Sequence, residues 1–400
     1  KVIKSDIFNG LLQSSQEHWS KFDYILANPP YIPTTRKNKI KKSDNNYFNK
    51  DRDDFKLPVY DGKTHYIEVA KSPYFQALSV LRHYIKLACD IYWGDMQHAY
   101  NLDLFMITQS ISSPMGPGSD SKAINLKFGK FNVYLTDSSQ FGFEPLLVNG
   151  IKKVYCYLPS MRGEKPDKKH LNQFYHCEAE ISGTLRELKP QIEGYVKFLA
   201  ETLVSMPNIL SLLSANSKMS IKKLQSLLRA KKFQEMEFDN VVEILKDSRN
   251  GNLINEIESG QDVSGKAELK LMEILKTGIP IWVNHYDRNR VAFYQKPYKE
   301  NKVINADLLF PPIIKGSFGG EIVGSGQRQD NVGEMYESLR RQGINPKPYE
   351  WYIDLRRLKN YKPTSGFGLG IERFIAWALC RDRVRDVILY PRLKDTVSLP

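Results

Sequence analysis

Three clusters of residues concentrate side chains that could do chemistry. In SMRGEKPDKKHLNQFYHCEAEI, an arginine, a glutamate two residues on, and then a histidine and a phenylalanine lead into a strand. Arg162 offers a planar fork suited to phosphate oxygens. His170 can reach a second phosphate, and Phe174 presents a flat face to a purine. In GFGLGIERFIAWAL, Gly366, Gly368 and Gly370 let a strand pack tightly before a helix whose first turn carries Arg373. A cation there opposes the helix dipole, which points to an anionic partner. Glycines in this pattern can mark a mere packing turn, and the Glu-Arg pair behind them sharpens the functional reading. In NADLLFPP…GGEIVGSGQRQD, Asp307 and Glu321 are placed at strand ends. Paired carboxylates beside a phosphate site hold magnesium; alone they would be ordinary strand-end charges.

A fourth stretch is FDYILANPPYI, residues 22–32. Two prolines stiffen the turn after an apolar strand. The Asn28 side chain and the Pro29 carbonyl could accept hydrogen bonds from an amino group, with Pro30 fixing the turn and Tyr31 supplying a stacking face. The segment resembles the loop of S-adenosylmethionine-dependent amino methyltransferases, those acting on release-factor glutamine or on adenine. A working enzyme of that kind needs a glycine-rich loop upstream, and none precedes Asn28. The expectation is a vestigial or truncated piece. The chain opens on Lys1 rather than Met, as a piece of a longer protein would.

Periodicity supplies the elements that must position these residues. Residues 1–33 are expected as a short α/β fragment, and 34–65 as a basic polar linker too poor in aliphatic residues to fold alone. Residues 66–400 are expected as one α+β domain. Ser72 to Trp93 repeats apolar residues at helical spacing. DLFMIT, NLKFGKFNVYLT, KKVYCYL and FYHCEAEI are expected as strands, followed by a helical insertion over about 185–246. PIWVN, VAFYQK, VINADLLF and GEIVG return to strands, with helices over 331–343 and 370–380.

Composition sets the class of partner. With 58 basic and 45 acidic residues the net charge is +13, which favours nucleic acid or nucleotide phosphates, or reflects a solvated surface with a basic linker. Four cysteines without paired spacing suit neither zinc nor a disulfide framework, so the cytoplasm is the expected compartment. No apolar run approaches the roughly 18 residues of a membrane span.

Taken in order, the motifs resemble the catalytic domain of class II aminoacyl-tRNA synthetases of the aspartyl/asparaginyl subgroup, an antiparallel sheet flanked by helices. Arg162 to Glu180 matches the second signature of that family and Gly366 to Arg373 the third; EIVGSGQR and YEWYIDLRR match as well. The resemblance implies ATP and Mg2+ as cofactors. Arg162 would bind the α-phosphate, and His170 and Arg373 the γ-phosphate. Phe174 and Arg373 would sandwich adenine, with Glu164 at its amino edge. Asp307 and Glu321 would carry the metal, so Arg162, Arg373 and Glu321 form the implied catalytic set. SSQFGFE resembles the asparaginyl pattern, placing Gln140, Glu144 and Arg328 around the amino acid, with asparagine favoured over aspartate. A homodimer is implied, although Ser110 stands where the first motif has proline and Pro114 comes late. The implied acceptor is tRNA; alternatives are ammonia, as in aspartate–ammonia ligases, methyl transfer at Asn28, or a non-catalytic paralogue.

Overall fold

Ser72 starts the first long helix, α1 (Pro73–Cys89), by accepting a hydrogen bond from the Tyr74 amide at 3.3 Å. Pro73 occupies the first turn, where its missing N–H has no partner to lose. Ala77, Leu78, Leu81, Ile85 and Ala88 recur at three- and four-residue spacing and are all buried. The molecule is described by a computed structural model at residues 55–112, 122–257, 260–299 and 301–399. The Asn28–Tyr31 segment, most of the basic linker and Pro114 lie outside the described residues.

Eight strands make the main sheet: β1 (Tyr100–Asn101), β2 (Lys153–Met161), β3 (Gln173–Ser182), β4 (Gln234–Glu237), β5 (Ile281–Asn284), β6 (Asn305–Phe310), β7 (Gly320–Gln327) and β8 (Thr364–Gly370). Their spatial order is β1-β2-β3-β8-β7-β6-β5-β4. The six inner strands are antiparallel, as expected for this α+β class, and a short parallel strand closes each edge.

α2 (Gln140–Val148) leads into β2. α3 (Leu185–Val204), α4 (Pro207–Leu213) and α5 (Ser217–Arg229) form the insertion, and their Leu199, Leu210, Leu213 and Leu224 share one core with α1. α6 (Gly265–Leu275), α7 (Val332–Arg341) and α8 (Ile371–Ala378) follow along the chain. Helices α1, α3, α4, α5 and α8 share a core with Trp282, Leu308, Val323 and Leu369 of the sheet, and α2 and α6 flank the cavity described below. Among the described residues no single helix is long and apolar enough to cross a membrane.

Several expectations are corrected. The insertion is not helical throughout, because β4 pairs with β5 at the sheet edge. DLFMIT contributes only Ile107–Thr108 as strand. VAFYQK forms a turn rather than a strand, with the Gln295 amide donating to the Ala292 carbonyl at 3.0 Å. Ala292, Phe293 and Tyr294 are buried with Met335, Leu339, Tyr349 and Tyr352, and Gln295 makes only an isolated bridge to Arg328. Asp307 lies inside β6 rather than at its end. The last linker residues are packed: Phe55 stacks under Arg381 at 4.5 Å, and the Leu399 amide donates to the Gly62 carbonyl at 2.9 Å.

Candidate active site

The cavity, of about 260 Å³, opens over the centre of the sheet. Its floor follows from strand geometry: alternate residues share a face, so Gly366, Gly368 and Gly370 of β8 all present bare backbone upward. β7 adds Gly324 and Gly326, paired with Gly368 and Gly366 in register. A Cβ at Gly370 would meet the Arg373 side chain at 3.3 Å, and one at Gly366 would overlap Arg328 and Glu180. The intervening Phe367 and Leu369 point to the core. The glycines thus clear space for ligand and side chains, beyond the tight packing expected of them.

One end of the cavity is cationic. Arg162 closes the loop after β2, its amide donating to the Asn172 carbonyl at 3.0 Å. Its guanidinium lies 5.3 Å from the Phe174 ring centroid, and its Nε is buried without a partner. His170 Nδ1 meets Asp167 at 2.9 Å, which leaves Nε2 to face Arg373 at 3.2 Å. Arg373 is aimed by its neighbour in sequence. Glu372 turns inward, pairing with Arg82 of α1 at 2.7 Å and accepting from the Tyr175 amide at 2.8 Å. Arg373 therefore turns outward over the floor and pairs with Glu321 at 3.2 Å. Glu164 is buried at the cavity wall and accepts from the Lys122 amide at 3.2 Å.

Beside these cations stand three carboxylates, Asp307, Glu321 and Glu268. Glu268 of α6 accepts from the Glu321 amide at 3.0 Å and lies 3.7 Å from Lys169. Burial and the nearby Glu321 push the Asp307 carboxyl well above the usual range, with Arg290 at 3.8 Å opposing only in part. Burial alone would raise Glu321 too, but Arg373 and Arg290 outweigh it and hold Glu321 low. A Cβ at Gly324 would lie 3.2 Å from Glu321 Oε1 and 3.6 Å from Asp307 Oδ1, so the two carboxylates converge over an open cradle. That arrangement fits a divalent cation, which would relieve the repulsion that raises Asp307. Among the described residues no third His, Cys, Asp or Glu joins a metal-holding group, so water and phosphate oxygens would fill the remaining positions, as magnesium prefers.

The other end is pre-neutralised. Arg328 makes a bidentate pair with Glu180 at 3.0 and 2.9 Å, and Thr364 donates to Glu180 at 2.8 Å. Glu178 accepts from the Ser138 hydroxyl at 2.5 Å and the Ser139 amide at 2.7 Å. Burial, with Arg162 and Arg373 adding, pushes His176 well below its ordinary value, so its ring is neutral. Gln140 lines the cavity as expected.

Glu144 does not line it. One helical turn beyond Gln140 in α2, Glu144 is carried away from the mouth and fully buried. There it meets Arg356 at 2.5 Å and the Tyr352 hydroxyl. Gln140 Nε2 donates to that same hydroxyl at 3.3 Å, so Glu144 reaches the cavity only through Tyr352 and Gln140. Sequence reasoning missed Glu178, Glu180, Glu268, Arg290 and Gln295. Two of these were legible: His176, Glu178 and Glu180 recur at period two opposite Cys177, Ala179 and Ile181, a polar face on an otherwise buried strand.

Comparison with known proteins agrees with this geometry. Residues 115–394 match the family tRNA synthetases class II (D, K and N). The chain is 34% identical to an asparagine–tRNA ligase of Thermococcus gammatolerans over 277 residues, covering 68% of this chain and 60% of that one. It is 31% identical to one of Mycoplasma genitalium over 276 residues, covering 66% and 58%. It therefore spans about three fifths of the length of these curated relatives. Among solved structures, asparaginyl-tRNA synthetase of Pyrococcus horikoshii complexed with asparaginyl-adenylate superposes with a TM-score of 0.72 at 26% identity, covering 84% of this chain and 72% of that one. The matched residues hold the glycine floor, both cavity ends and the strands between them, and the chain belongs to the class II tRNA synthetases of the D, K and N group.

Proposed function

We propose that the chain activates asparagine with ATP and passes the asparaginyl group to tRNA. The observation that carries this is one cavity with a cluster of cationic groups, Arg162 Nε among them without a partner, at one end and a neutralised Arg328–Glu180 pair at the other. A triphosphate suits the first and an uncharged amide the second. In the reaction the asparagine carboxylate attacks the α-phosphorus. A carboxyl-oxygen–phosphorus bond forms, the bond from that phosphorus to the bridging oxygen breaks, and pyrophosphate leaves with its electron pair.

Arg162, with its unpartnered buried Nε, would stabilise charge on the α-phosphate. Arg373 and His170, 3.2 Å apart, would hold the γ-phosphate. Phe174 offers the stacking face for adenine and Glu164 the acceptor near its amino edge. Asp307 and Glu321 would hold a magnesium ion that neutralises phosphate charge when bound. Gln140 is placed to meet the amino acid, held by Tyr352 and Glu144. No covalent nucleophile is required, and positioning does most of the work.

The experiment is ATP–pyrophosphate exchange across the twenty amino acids without tRNA. Exchange with asparagine alone is expected. Exchange with aspartate alone would replace this reading with an ammonia-dependent ligase, and no exchange would end it. An aspartate carboxylate would bring a further negative charge to the Glu180 end, which favours the amide. We further propose a homodimer, which light scattering would test, a cytoplasmic setting in keeping with four free cysteines, and a division at 33 and 65 with a methyltransferase-like opening piece. Absence of any heat on titration with S-adenosylmethionine would remove methyl transfer as a rival.

A further inference from the structure

One row of the sheet crosses four strands: Glu180, Gly366, Gly326 and Asn305 pair side by side in register. Its two central members are glycines, which leaves a trough with polar groups laid over it. A Cβ at Gly366 would lie 2.4 Å from Arg328 Nη2 and 2.6 Å from Glu180 Oε2. A Cβ at Gly326 would lie 1.9 Å from Gln295 Oε1 and 2.7 Å from its Nε2. The Gln295 amide therefore occupies the place a side chain at 326 would take. Its backbone is fixed on both sides, donating to Ala292 and bridging to Arg328. Arg328, Gln295, Asn305 and Gly366 all line the cavity.

The polar balance of this trough is uneven. Glu180 already accepts twice from Arg328 and once from Thr364, and none of its surface is exposed. Gln295 Oε1 is buried with no hydrogen-bond partner. A buried acceptor without a donor is costly, and a ligand that brings an N–H to that point removes the cost.

We propose that Gln295 determines the amino-acid specificity of this site, its carbonyl accepting a hydrogen bond from the side-chain amide nitrogen of the substrate, with Gly326 making room for it. The inference rests on the asparagine reading above. Arg328 donates to the amide oxygen and Gln295 accepts from the amide nitrogen, so both ends of the side chain are read. Aspartate presents no N–H at neutral pH. It leaves Oε1 unpaired and sets a carboxylate oxygen against it. A site built around a substrate's hydrogen bond rejects the analogue that lacks it more strongly than an apolar site rejects an isostere.

The test is ATP–pyrophosphate exchange by the full chain, with kcat/KM measured for asparagine and for aspartate. Gln295→Met is expected to lower kcat/KM for asparagine about 10- to 100-fold, the range for one lost buried hydrogen bond. The aspartate value should hold or rise, because the opposing carbonyl is gone, and KM for ATP should stay within about two-fold. Gln295→Glu keeps an acceptor, so it should retain asparagine and exclude aspartate further. Gly326→Ala pushes the amide aside and should resemble Gln295→Met, which keeps the test available if that variant does not fold. An asparagine-to-aspartate ratio unchanged in folded Gln295→Met or Gly326→Ala overturns the inference. Absence of asparagine exchange in the unaltered chain would overturn the functional reading beneath it instead.

Discussion

The two ends of the cavity treat charge in opposite ways. At the cationic end Arg162 keeps a buried donor unpaired, and Arg373 shares its fork with a histidine and a half-buried glutamate. At the opposite end Arg328 and Glu180 satisfy each other, and behind them Arg356 and Glu144 do the same with both side chains fully buried. The difference tracks what each end would receive. A triphosphate would bring its own negative charge, so an unpaired donor there is an advantage. An amide brings none, and an uncompensated buried arginine would cost several kcal/mol. Binding end and folding end are thus separate roles for the same residue type.

The largest effect should come from breaking this division at its buried side. Glu180→Ala leaves Arg328 buried without a counter-charge and should cost about 3–5 kcal/mol of stability, read by thermal or denaturant unfolding. Arg373→Ala should barely move that transition while lowering exchange about 10²- to 10³-fold. Equal unfolding in both variants would erase the contrast.

A smaller effect sharpens it. Tyr352→Phe removes the hydroxyl that links Glu144 to Gln140 and should raise KM for asparagine by about tenfold, roughly 1.4 kcal/mol and the upper end for one neutral hydrogen bond. KM for ATP should not change, and an equal rise in both would place Tyr352 in general packing.

The smallest effect is in the acid response. Burial raises the Glu180 carboxyl and Arg328 reverses this only in part, so its folded value lies above its unfolded one. Its contribution is then largest at low pH and declines as pH rises above about 4.5. Glu321 is held low, so its contribution is complete above about 4.5 and is lost as pH falls through its folded value. Between pH 7 and pH 3.5 the stability gap to the parent should widen for Glu180→Gln and narrow for Glu321→Gln. Unfolding curves in which both gaps move the same way would refute the assignment.

Much of this was legible in the sequence where a local rule governs. The period of α1 and the glycine alternation before Arg373 each report their own geometry. Arg162, His170, Phe174, Glu321 and Arg373 could be selected because their chemistry recurs at short spacing, and the fold brings them around one cavity. Glu144 misled because spacing in a helix gives the face but not how deep the helix runs. The strand at 234–237 was hidden in a helical stretch because its partner, β5, lies 47 residues further on. Gln295 was invisible for a related reason. Its importance depends on a glycine 31 residues away that clears its place, and no local pattern records that.

Glu372 and Arg373 are consecutive, yet one pairs with the scaffold and the other reaches over the cavity. Damage at the two neighbouring codons should therefore present differently in a cell. A change at 372 would lower how much protein survives quality control and leave Arg373 less well aimed in each surviving molecule. A change at 373 would leave abundance intact and silence every molecule. A screen that scores only protein levels would find the first and pass over the second, one peptide bond away.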